Sequence, residues 1–416
     1  MSKIRDHQST QPAIRFKGFT DAWEKRRLSE IVTEHNSGVY IAKDEYGSGT
    51  NIIGVGDIYE SDLVDGQVFR LAPVKDEKFI LHSRDLLYGE SSLVQEGIAR
   101  VVSVTEKGAG TAFAWHTRRF VVEPAVADSQ FVMLELNYWF PAREHLMRTA
   151  TKTALTGITT QDFFSTNILV PILFEQKKIC DLVHRLDNLI TVNQRKGDVL
   201  QNFKKALLQR LFASETSPIP DIRFKGFTDA WEKRKLGEVV DIKCGGTPST
   251  SRPEYWNGGI DWYAPAEIGT QRYVYKSRRR ITELGLEKSS AVMLPANKTI
   301  LFTSRAGIGN AAILTSAATT NQGFQSMIVN SNTDTYFLYS KIPEIKHKAI
   351  RVAAGSTFLE ISGKSLSKIP IKLPEFEEQV KIGRLFLKID NLIAATQRKG
   401  EVLKNLKKAL LQKMFV

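Results

Sequence analysis

The residues best suited to hold a polyanion lie between Cys244 and Gln322. Residues 244–252 read CGGTPSTSR, small hydroxyl side chains on a backbone shaped by glycine and proline. Hydroxyls and free backbone amides suit phosphate oxygens, whereas arginine and glutamine forks suit base edges. This loop supplies Gly246, Thr247, Ser249, Thr250 and Arg252 as candidates. Arg272, Arg278, Arg279 and Arg280, with Lys276 among them, form a basic stretch fit for a phosphate groove. Ser304, Arg305, Asn321 and Gln322 add polar groups beside glycine turns. Trp256 and Trp262 interleave with these residues and read as core. In the earlier segment the matching candidates are Ser37, Lys43, Tyr88, Ser91, Ser92, Arg100 and Arg118.

Charge supports this division. The chain carries a formal +13 over 416 residues. Residues 1–173 hold 19 basic and 22 acidic side chains, whereas residues 213–374 hold 22 and 14. Electrostatics therefore argues for nucleic acid in the later segment and is silent about the earlier one. Acidic side chains there still permit base reading, since carboxylates accept from cytosine.

Catalytic patterns are missing. Gly54-Val55-Gly56, Gly108-Ala109-Gly110 and Gly307-Ile308-Gly309 lack the third glycine of a dinucleotide loop. His35, His82, His116 and His145 share no i, i+4 spacing, and neither G-x-S-x-G nor H-E-x-x-H occurs. Cys180 and Cys244 cannot form a disulfide framework. The expectation is a binding component with no catalytic residues and no metal of its own. The opening MSKIRDHQST lacks a secretory apolar core, and no run reaches the roughly 20 apolar residues of a membrane span. A cytoplasmic location is expected.

The elements that must hold these surfaces are written twice. Residues 14–32 (IRFKGFTDAWEKRRLSEIV) match residues 222–240 at 16 of 19 positions, an offset of 208. Residues 175–212 match residues 378–415 at 23 of 38 positions, an offset of 203. The intervening segments, 33–173 and 241–374, share little. Two similar folds carrying different surfaces are expected from a tandem duplication. Each variable segment alternates short strand-like runs with glycine turns, then offers a short helix near 133–150 or 335–350.

The second repeated block is a long helix with a coiled-coil period. Its pairing residues read as Ile179, Leu182, Leu186, Leu189, Leu200, Phe203 and Leu207. In the copy they are Ile382, Leu385, Ile389, Leu392, Leu403, Leu406 and Leu410. Midway the seam turns polar, at Asn193 and Lys196 or Thr396 and Lys399, beside Gly197 and Gly400. Pro171 and Pro374 mark the starts. A strut of about 57 Å follows from 1.5 Å per residue. Its best partner is its own copy, and an antiparallel pair would relate the two halves by a pseudo-twofold axis; two separate amphipathic helices, each docked on its own domain, are the alternative.

These features resemble the specificity (S) subunit of type I restriction–modification enzymes. The carriers are the doubled FKGFTDAWEKR block, the doubled DNLI…QRKG…KKALLQ helix, and GGTPSTSRPEYWNGGIDW…TNQGF in the second variable segment. The resemblance implies an α/β (α+β) chain with two mixed strand/helix target recognition domains, residues 1–173 and 213–374. Between and after them come long helices at 174–212 and 375–416, forming an antiparallel coiled coil. It implies a non-catalytic subunit that reads a split site on double-stranded DNA. Two methyltransferase (M) subunits would dock on the helices, and two restriction (R) subunits can join. S-adenosylmethionine, ATP and Mg belong, on this resemblance, to those partner subunits. A stand-alone DNA-binding regulator or scaffold is the competing class.

Overall fold

The computed structural model describes residues 11–59, 61–93, 95–151, 156–305, 307–355 and 359–415. The opening MSKIRDHQST thus lies outside the described residues. The chain divides into two units, residues 1–193 with 399–416 and residues 194–398. Each long helix is therefore shared between units.

In the first unit a mixed five-stranded sheet comprises β1 (Val32–Ser37), β2 (Leu63–Val64), β3 (Leu86–Gly89), β4 (Val101–Val104) and β5 (Thr117–Val122). Its order is β1-β5-β3-β4-β2, antiparallel except for β4 with β2. Helix α1 (Ser129–Tyr138) follows, capped by the Asp128 carboxylate on the amides of Gln130 and Phe131. The 133–150 region forms two helices, because the chain breaks at Trp139 and restarts with Pro141 in its first turn. Helix α2 then runs 39 residues, from Leu173 to Leu211.

The second unit repeats the plan with β6 (Val240–Cys244), β7 (Tyr273–Val274), β8 (Thr299–Phe302), β9 (Ala311–Leu314) and β10 (Gln325–Val329). The order β6-β10-β8-β9-β7, with one parallel pair at the same place, reproduces the first sheet. Helix α3 (Thr335–Ser340) matches α1, and helix α4 (Phe376–Met414) again has 39 residues. No helix among the described residues is long and apolar enough to cross a membrane.

The near-identical blocks make the same joint twice. Arg15 forks onto Glu175 at 2.7 Å in the first unit, and Arg223 forks onto Glu378 at 2.9 and 2.6 Å in the second. Both carboxylates are almost fully enclosed, so losing either arginine should cost about 3–5 kcal/mol. Gln176 accepts the Asp128 amide as Gln379 accepts that of Asp334. The core of the first unit gathers Trp23, Phe120, Phe131 and Phe163 under Ile179 and Val183 of α2 and Leu411 and Met414 of α4. That of the second gathers Trp231, Phe302 and Phe337 under Leu211 of α2 and Ile382 and Phe386 of α4. A domain insertion can diverge between such joints because the joints carry the frame.

The helices pair antiparallel inside each unit, along the face their period supplies. Asp187 meets Lys407 and Asn193 faces Gly400 in the first; Lys204 meets Asp390 and Gly197 faces Thr396 in the second. Ile179, Leu186, Ile382 and Ile389 are buried as expected, and Leu182, Leu200, Leu207, Leu385, Leu403 and Leu410 are half-buried. Four expectations fail. Leu189, Phe203, Leu392 and Leu406 are 51, 51, 52 and 45% exposed. Asn193 and Leu200 keep their places in the seam, but around them it runs one position later, through Ile190, Gly197 and Lys204, and Lys196 and Lys399 are exposed. Glycine in each copy lets the two backbones approach where leucine pairs would hold them apart.

Candidate nucleic-acid interface

In the second unit the structure brings most of the sequence candidates to one corner of the sheet. The 244–252 loop leaves β6 and folds against the turn at 320–323 that leads into β10. Gly245 is required there, because a Cβ would lie 2.2 Å from the Asn321 carbonyl oxygen. Two buried tryptophans fasten the loop from below. The Trp262 indole donates to the Gly246 carbonyl at 2.8 Å and that of Trp256 to the Ser249 carbonyl at 3.1 Å. Thr247, Ser249, Thr250 and Arg252 are thereby exposed on top. The Thr247 hydroxyl donates to Gln322 Oε1 at 2.6 Å.

The Arg279 guanidinium carbon lies over the Trp256 ring at 3.7 Å, a cation–π seat that keeps its charge at the surface beside this loop. Arg278 is exposed, and Arg280 is tied to Asp261 and the Gly259 carbonyl. Ser304 donates its amide to the Gly323 carbonyl, which sets half-exposed Arg305 next to the Asn321–Gln322 turn. Ser304 itself is buried, its hydroxyl facing Glu360 at 3.4 Å, so it offers no surface. Arg272 is also withdrawn. It donates to the Tyr336 hydroxyl and to Asn391 of α4, at 3.1 and 3.2 Å, and so joins sheet to helix.

The first unit presents a different surface. Ser37 and Lys43 are exposed, but Tyr88 is fully enclosed, its ring stacked on Phe163 at 3.6 Å. Burial pushes its phenol up to about 12, and no face of it can meet a ligand. Ser91 and Ser92 are likewise buried, in a strand paired with Thr156–Gly157. Arg100 is held by Asp62 at 2.5 Å, alongside the Tyr138 hydroxyl. Arg118 donates to Glu90 at 2.6 Å and to the Ser37 hydroxyl at 2.9 Å. Alternating strand residues face inward, and the sequence pattern did not say which set.

Two exposed aromatic rings, Tyr40 and Trp115, stand above this network, edge to face at 5.2 Å. Trp115 also stacks on His116 at 4.3 Å, and His116 Nδ1 lies 3.0 Å from Glu90. Trp115 and His116 escaped sequence reading. Carrying the Asn321–Gln322 turn back by the 207-residue offset between the two sheets lands on Ala114–Trp115 and would have found Trp115, with His116 next to it. Among the described residues no group of His, Cys, Asp and Glu converges as a metal site.

Comparison with known proteins agrees with the duplicated plan. The model of the family described as "Type I restriction modification DNA specificity domain" matches residues 20–202 and again 228–405. The chain is 35% identical over 190 residues to the type I restriction enzyme MjaIX specificity subunit of Methanocaldococcus jannaschii, covering 45% of this chain and 44% of that one. The chain thus aligns with under half the length of that relative. The putative MjaX specificity subunit of the same organism is 23% identical over 94% of this chain and 92% of its own. The Escherichia coli EcoR124I/EcoR124II specificity subunit is 32% identical over 39% of this chain and 41% of its own. Among solved structures, the type I restriction-modification S subunit from M. genitalium superposes with a TM-score of 0.62 at 15% identity, covering 98% of this chain and 99% of that one. At that identity the likeness concerns the fold.

Proposed function

The chain belongs to the type I restriction modification DNA specificity family, and on that premise we propose that it is a non-catalytic subunit reading a split site on double-stranded DNA. One observation carries this: the same sheet corner is built twice on the same joints, with different side chains on top. A duplicated frame with divergent surfaces is what recognition of two unlike half-sites requires. Each half-site alone gives modest affinity, and joining two readers makes the second encounter intramolecular.

Docking of methyltransferase subunits is supported by the four residues that left the seam, together with three exposed valines on the same helices. In the first unit Leu189 and Val192 of α2 and Val402 and Leu406 of α4 are exposed. In the second, Val199 and Phe203 of α2 and Leu392 of α4 occupy the equivalent positions. Exposed apolar positions repeated in each unit suit two identical partners. S-adenosylmethionine chemistry is assigned to those subunits, and ATP with Mg to restriction subunits that can join them.

The test is methylome sequencing of cells with and without the chain. A split motif that disappears with it supports the reading. Replacing residues 33–173 by a second copy of 241–374 should convert that motif into an inverted repeat of one half. An unaltered methylome on deletion would instead favour a stand-alone DNA-binding regulator.

A further inference from the structure

Beneath the different surfaces, the strand register and the glycine contacts of the two corners correspond at a constant offset of 207. Ser37 ends β1 opposite Arg118, and Cys244 ends β6 opposite Gln325. Gly38 then lies so close to the β5 turn that a Cβ would sit 2.2 Å from the Ala114 oxygen; for Gly245 the same distance separates it from Asn321. Two residues after each glycine come Tyr40 and Thr247, and one residue after each carbonyl come Trp115 and Gln322. Both pairs touch. The rings of Tyr40 and Trp115 meet at 5.2 Å, and Thr247 bonds Gln322 at 2.6 Å.

Resting on the DNA-recognition reading above, we propose that these two pairs are the equivalent base-reading positions of the two units, one apolar and one hydrogen-bonding. Trp115 is 50% exposed and Tyr40 67%, which is unusual for rings so large and not explained by core packing. Beneath them the Glu90 carboxylate is already engaged by Arg118 and by His116 Nδ1, so Arg118 spends its charge on Glu90. What remains to face a duplex is an aromatic wall of two rings set edge to face, suited to apolar contact with thymine methyls. His116 holds the turn in a left-handed conformation (φ 68°) that fixes the Trp115 ring.

In the second unit the Thr247 hydroxyl engages the Gln322 carbonyl oxygen and turns the amide nitrogen outward. Its N–H donors then match guanine O6 and N7 or thymine O4. Thr247 is a positioning residue here: it orients Gln322 and so selects donor over acceptor readout. Arg279 on its tryptophan seat supplies a nearby cation for phosphate.

The experiment uses the full chain with its methyltransferase partner, comparing methylation motifs for the natural protein, Trp115→Ala, Gln322→Ala and Thr247→Val. Trp115→Ala should relax base preference in one half of the motif only, and Gln322→Ala in the other half only. Discrimination at the relaxed position should fall by about 5- to 150-fold. Thr247→Val should relax the same position as Gln322→Ala, and Gln322→Glu should change the preferred base there. Relaxation of one and the same half by Trp115→Ala and Gln322→Ala overturns the proposal, as does an unchanged motif in both. Should Trp115→Ala lower the melting temperature, Trp115→Phe decides: a preference retained supports the aromatic wall, and loss of both halves overturns it. A natural chain that imposes no split motif overturns the DNA-recognition reading itself, whereas a natural split motif untouched by the variants overturns only this assignment.

Discussion

Lys204 donates to Asp390 at 2.7 Å, and its copy Lys407 donates to Asp187 at the same distance, yet the two ion pairs sit in different surroundings. The Asp390 side chain is 7% exposed and also accepts from the Tyr336 hydroxyl at 2.8 Å; that of Asp187 is 42% exposed. Removing Asp390 leaves the Tyr336 phenol without its acceptor in a nearly dry site and Lys204, 29% exposed, without its carboxylate. Asp390→Ala should cost about 3 kcal/mol, and Asp187→Ala, screened by solvent, about 0.5 kcal/mol. Urea denaturation of the two variants checks this, and equal losses would show that the second site is no more closed than the first.

Glycine in the middle of the helix pair leads to a second asymmetry. A Cβ on Gly197 would meet Thr396 Cγ2 at an ordinary 3.8 Å, while one on Gly400 would press Asn193 Nδ2 at 3.1 Å. Gly197→Ala should therefore realise most of the helix-propensity gain, about 0.5–1 kcal/mol. Gly400→Ala should gain less or lose, since Asn193 must give way. Thermal melts of both variants separate the outcomes, and a marked loss for Gly197→Ala would place the helices closer than described.

The duplication, the long helices and their antiparallel pairing were legible in sequence because repeats and period survive without coordinates. The seam's phase was not. Leu189 and Leu392 satisfy a 3–4 spacing as well as Ile190 and Ile393 do, and only packing against Asn193, Gly197 and their copies settles it. The recognition surface divided along similar lines. The 244–252 loop announced itself by composition, whereas Tyr88, Ser91, Ser92 and Ser304 have polar groups that the fold turns inward. Trp115 was passed over because an aromatic residue in a strand-like run reads as core.

Glu135 gives a pH prediction. Its carboxyl is wholly buried in α1, one oxygen accepting the Leu169 amide at 2.8 Å and the other without a partner. Burial pushes it up to about 8, against about 4.3 in an unfolded chain. Between these values the folded state binds a proton that the unfolded state does not. Its stabilising protonation is complete below the unfolded value and lost as pH rises toward 8, at about 1.4 kcal/mol per pH unit. Glu135→Gln keeps an acceptor for Leu169 and removes the titration. The variant's stability advantage should grow from pH 5 to pH 8, and parallel stability curves would show that Glu135 is already ionised.

Salt dependence separates free cations from tethered ones. Arg252 stands exposed on the loop with only a loose 3.6 Å approach to Glu254, whereas Arg100 is locked to Asp62. Arg252→Ala should weaken binding to cognate and unrelated duplexes alike and lower the log–log salt slope by about 1. Arg100→Ala should leave the slope alone and reduce stability by about 1–2 kcal/mol. Fluorescence anisotropy across a salt series measures the first and a melt the second. A slope shared by Arg252→Ala and the natural chain would remove Arg252 from the phosphate path.

The phase of the helix seam decides which substitutions break the fold and which break the assembly. Leu186 and Ile389 are buried at 7% and 4%, so Leu186→Asp or Ile389→Asp places a charge in the core seam and should cost more than 3 kcal/mol. Leu189 and Leu392, at 51% and 52% exposure, face outward, and Leu189→Asp or Leu392→Asp should change stability by under about 0.5 kcal/mol. If these outward leucines seat methyltransferase subunits, each aspartate should remove one partner and leave the equivalent position on the other unit occupied. Native mass spectrometry of the complex reads that stoichiometry directly: two methyltransferase subunits on the natural chain, one on either single variant, none on the double. Two subunits retained on the double variant would move the docking surface off this face of the helices. Unfolding of Leu189→Asp alone would instead restore it to the seam.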